Sequence, residues 1–83
     1  MSAALAVTDE DLMVDQLGRA SRKLKEIERI EVRYPLETTP EWCLALREYN
    51  DAIEAARFHA TNLRAVEHDF APWVEQLMRT HSV

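Results

Sequence analysis

The residues of this chain best able to do chemistry are three histidines (His59, His68 and His81), one cysteine (Cys43) and fifteen acids. A metal site needs such groups gathered at set spacings: two histidines four apart on one helix face, a carboxylate three before a histidine, or paired cysteines. None of these spacings occurs. His59 and His68 are nine positions apart, which puts them on opposite sides of any helix they share. Cys43 falls in the first turn of a predicted helix, where the dipole favours a thiolate. Acidic Glu41 stands close by, however, and no histidine is near in sequence to act as its base. A phosphate-cradling loop needs several glycines, and the chain has only Gly18. The chain therefore reads as a non-enzyme, with no catalytic residue, metal ligand or cofactor expected.

Charge is the second chemical feature. The chain carries a formal −5, yet residues 19–33 hold six cations against three acids. Arg19, Arg22, Lys25, Arg29 and Arg33 project from neighbouring angles of one predicted helix, away from its apolar stripe. Arginine presents a planar fork suited to carboxylates and phosphates, which makes Arg22, Arg29 and Arg33 candidate partner-binding residues. The plainer reading is a solvated face, balanced by Glu26, Glu28, Glu31 and by acids of the next helix. Duplex DNA requires a denser basic footprint, and the net charge opposes it. No nucleic-acid partner is expected.

These residues must be held by helices. Eleven alanines, one glycine and three prolines leave little material for strands or long loops. The longest pattern is a seam of apolar residues at Trp42, Leu46, Tyr49, Ile53, Ala56, Ala60, Leu63, Val66 and Phe70, spaced by threes and fours as one helix face requires. With Thr39 as cap and Pro40 at the first helical position, it predicts a helix over 40–69. Met13, Leu17, Ala20, Leu24, Ile27, Ile30 and Tyr34 predict another over 9–33, capped by Thr8 with Asp11 three residues on. Tyr34-Pro35 ends it. A link this short folds the two into an antiparallel helical hairpin, the second helix overhanging at ~45 Å against ~37 Å. Pro72, with Asp69 as the expected cap, restarts the chain as a short helix over 72–80, able to fold back over that overhang and cover Phe70. Residues 1–7 read as a flexible tail. Gly18 lies inside the first helix at a cost of ~1 kcal/mol relative to alanine; it is either a tolerated surface glycine or the site of a close backbone crossing.

The fold expected is thus all-α, one domain over 1–83. Ala45, Ala52 and His59 widen the seam to about 140°, broader than one neighbouring helix covers. That width predicts a homodimer completing a helical bundle, with Ala52, Ala56 and Ala60 allowing close approach. Opposite the seam, Leu44, Arg47 and Phe58 share a face with Asp51, Ala55, Asn62 and Ala65, and aromatic and arginine side chains so placed are typical of binding hot spots. The function expected is a non-enzymatic protein–protein interaction module: a regulator, adaptor or assembly factor. The alternative is an inhibitor presenting Glu41, Glu48, Asp51 and Glu54 to a basic target as a nucleic-acid mimic. No stretch approaches the ~20 apolar residues of a membrane span, and the single cysteine fits a cytoplasmic setting.

Overall fold

The first helix, α1 (Asp9–Arg33), begins where a polar cap meets acids that suit the positive end of a helix dipole. The Thr8 hydroxyl accepts from the Asp11 amide at 3.1 Å, and the Asp11 carboxylate accepts from the Thr8 amide at 3.2 Å, a reciprocal capping box. The chain leaves the helix at Tyr34, as Pro35 demands. Residues 34–37 then close a turn through the Glu37 amide and the Tyr34 carbonyl, 3.2 Å apart. Proline occupies its second position, and Leu36 occupies the third at φ 65°, where glycine is the usual residue. The computed structural model describes residues 7–83; most of the expected tail, residues 1–6, lies outside the described residues.

The second helix, α2 (Pro40–Ala65), starts as the sequence implies, with the Thr39 hydroxyl accepting from the Trp42 amide at 3.1 Å. It stops four residues earlier than the periodicity suggests. Glu67 takes a left-handed φ of 54°, its amide donates to the Arg64 carbonyl, and the His68 amide donates to the Leu63 carbonyl. This is a Schellman ending, built without the customary glycine. Val66 is therefore 73 % exposed and is not part of the seam, whereas Phe70 reaches the core from the connector. The anticipated overhang disappears too, because helices of 25 and 26 residues have nearly equal length.

The third helix, α3 (Pro72–Thr80), has the expected span, but its cap is Ala71 and no side chain bonds its first turn. Asp69 does not serve. Extended backbone at Ala71 lets Pro72 open the helix, while Phe70 and Ala71 are drawn into the core.

Contacts Asp9–His59, Arg19–Glu48 and Glu31–Trp42 pair early α1 with late α2 and late α1 with early α2, so the hairpin is antiparallel. Ala52, Ala56 and Ala60 are wholly buried. They pack with Met13, Leu17 and Ala20 of α1 in the same chain, where side chains this small let two helices approach closely. At the open end of the hairpin, α3 packs against α1, and its Val74 and Met78 side chains join Met13 and Leu17 and the α2 residues Ala56, Ala60 and Leu63 in one cluster. A second cluster of Ala20, Ala52 and Ile53 continues the core toward the loop. Cover for the wide seam thus comes, at the open end, from the chain's own α3. Nearer the loop Leu24, Trp42 and Leu46 remain half-buried. Gly18 marks no close crossing: a β-carbon there would meet only the Arg22 guanidinium at 3.6 Å, an ordinary contact.

Candidate functional site

All three histidines join α1 to the later half of the chain. His59 Nδ1 on α2 lies 2.8 Å from Asp9 Oδ1. His68 Nε2 in the connector lies 3.4 Å from Glu10 Oε1, within ion-pair reach but off the line of a hydrogen bond. His81, just after α3, is 4 % exposed and shares hydrogen bonds with Ser21 of α1 through Nε2 (2.9 Å) and with Tyr49 of α2 through Nδ1 (3.2 Å). Burial holds the His81 ring below the usual histidine pKa. Their partners lie as far as 60 positions away, so no local spacing could have revealed these links. Among the described residues, no three of histidine, cysteine, aspartate or glutamate are grouped to hold a metal ion. Cys43 is exposed on the first turn of α2.

The basic stripe of α1 divides in two. Arg19 of the stripe, joined by Lys23 from outside it, turns toward α2, and the two converge on Glu48 at 3.7 and 3.2 Å. Glu48, followed by Glu26, raises the Lys23 pKa through hydrogen bonding. Arg22, Arg29 and Arg33 are exposed and form no ion pair among the described residues. They lie about half a turn round α1 from the buried Met13, Leu17, Ala20 and Ile27, at ~100° per residue. Arg33 sits over the Tyr34 ring, 5.7 Å from its centroid. Because Glu48 is engaged, the acidic row of α2 is interrupted, leaving Glu41, Asp51 and Glu54 in solvent.

The seam residues are placed inward: Ile53, Ala56, Ala60 and Leu63 are buried, and Trp42, Leu46 and Tyr49 partly so. Trp42 donates its indole N–H to Glu31 at 3.2 Å, which ties the loop end of the hairpin together. On the far side of α2, Leu44 and Phe58 are 55 % and 63 % exposed, with Arg47 and Asp51 exposed between them. Fourteen positions at 1.5 Å separate Leu44 from Phe58 by ~21 Å along the helix, so they bracket a row and do not form a single patch. The Phe58 ring meets the His59 ring edge-on, centroids 5.3 Å apart. His59 is itself fixed by Asp9, so the hot-spot candidate rests on an anchored neighbour. The structure does not bring Arg22, Arg29 and Arg33 together with Leu44, Arg47 and Phe58; the two sets face outward from different helices. Trp73 on α3 is also largely exposed, a second surface aromatic beside Phe58 in kind though on another helix.

No helix of the described residues is long and apolar enough to cross a membrane. No model of a known protein family, no curated protein and no solved structure matches the chain.

Proposed function

We propose that this chain is a small non-enzymatic interaction module that docks another protein along the outward row of α2, from Leu44 through Arg47 to Phe58. One observation carries the reading. Phe58 stands mostly in water in the middle of a long helix whose other face is locked into the core, and aromatic anchors beside arginine are the residues that dominate protein interfaces. Homodimerisation belongs to the same reading. The half-buried Leu24, Trp42 and Leu46, beyond the reach of α3, give a second copy somewhere to add apolar area.

Phe58→Ala tests it. The substitution removes only the edge-on contact with the His59 ring and puts the best helix former on an exposed helix position, so stability is expected to stay within about 0.5 kcal/mol. Capture of the partner from a native extract is expected to fall at least tenfold, about 1.4 kcal/mol, and wild-type capture to persist at high salt, since apolar contacts are not screened. Unchanged capture by the variant, or wild-type capture abolished by salt, would favour the acidic mimic instead. Cytoplasmic location is part of the proposal and is tested by fractionation of native cells.

A further inference from the structure

We propose that His81 is an acid-released latch: protonating it detaches α3 from the hairpin while α1 and α2 stay paired. The observation behind this is its position where all three helices meet, enclosed, with both ring nitrogens engaged by uncharged hydroxyls. The side chains around it offer a proton no counter-charge. Ser21 meets it from α1 and Tyr49 from α2, and the Arg57 guanidinium of α2 reaches the neighbouring Ser82 carbonyl at 3.5 Å. Arg64 donates to the main-chain oxygen of Val83, the last residue, at 2.7 Å and so engages that group, and Arg79 lies on α3 itself. Among the described residues, no carboxylate stands within ion-pair distance of His81, although one does for each of the other two histidines.

The helix it holds cannot persist undocked. A segment of nine residues is far below the length at which an isolated helix is stable in water. It has no side-chain cap, and it is held by Val74, Met78 and the contacts around His81.

The sign follows from linkage. Docking keeps the ring neutral, its pKa lowered by burial, and release returns it to the ordinary value near ~6.5. The released state therefore binds more protons. Docking is complete above about pH 6.5 and weakens as pH falls below it, by up to tenfold per pH unit until the docked pKa is reached. The opening stays local because the Ala20, Ala52 and Ile53 cluster and the ion pairs of Glu48 join α1 to α2 without any residue of α3.

NMR of the full chain between pH 8 and 5 tests the latch. The His81 ring is expected to titrate below 6.5, and the Val74 and Met78 methyl signals to move toward unfolded positions with the same midpoint, while those of Ala52 and Ile53 stay in place. His81→Gln keeps a group able to bond Ser21 and Tyr49 but takes up no proton; its α3 signals are expected to change at least fivefold less between pH 7.5 and 5.5. A His81 midpoint at or above 6.5, α3 methyls that stay put through the titration, or loss of the hairpin signals at the same midpoint would each overturn the proposal. If His81→Gln releases α3 at every pH, the wild-type titration alone decides.

Discussion

Replacing Leu17 with alanine is expected to remove about 2–5 kcal/mol of stability, the range for emptying a buried leucine site. Leu17 is fully buried at the junction of all three helices, in one cluster with Ala56, Ala60, Leu63, Val74 and Met78. Two of those neighbours, Ala56 and Ala60, have no side chain able to swing into the space, which limits how far the cavity can collapse. A domain of this length has roughly 4–12 kcal/mol in total, and the loss therefore consumes a large part of it. Urea unfolding followed by circular dichroism reads the change as a lowered midpoint. Leu44→Ala, on the exposed face, is the control and is expected to shift stability by no more than about 0.5 kcal/mol. Equal effects at the two positions would show that the cluster does not close on Leu17.

The opposite substitution is expected to be nearly as damaging. Ala56→Leu adds volume where Ala52, Ala56 and Ala60 leave none of their surface accessible. Overpacking of this kind costs about 1–3 kcal/mol through displaced side chains and backbone. Here the added side chain points into the α1–α2 contact, which can yield only by separating the helices and with them the platform on which Val74 and Met78 sit. The same unfolding experiment measures it. A variant as stable as the parent would mean that the alanine ladder does not set the helix separation.

Both predictions fall on residues whose positions the sequence made legible. The caps at Thr8 and Thr39, the stop before Pro35 and the start at Pro72 are local chemistry, and the spans of α1 and α3 follow from them. The end of α2 is different. Glu67 adopts a left-handed backbone without being glycine or asparagine, so the stop signal is missing from the chain, and apolar spacing carries a reader on to Phe70. What ends the helix is tertiary: Phe70 and Ala71 are taken into the core, and His68 is drawn to Glu10. The histidine joints were hidden for the same reason, since Asp9, Glu10 and Ser21 lie far off in sequence and become neighbours only when the hairpin closes. The division of the basic stripe was half visible. Glu48 could be named as an acid on the next helix, but which cations it engages depends on the rotation of α1 against α2.

The wide seam of α2 demands cover, and the claim joining fold to function is that α3 of the same chain supplies it at the open end. The outward row around Phe58 and the loop half of the seam are then what remains for other molecules. Isotope-filtered methyl spectra of an equal mixture of labelled and unlabelled chains test this most directly. Contacts from the Val74 and Met78 methyls to Met13 and Leu17 are expected within a single chain and none between chains; the same contacts linking a labelled chain to an unlabelled one would show that a second copy covers the seam.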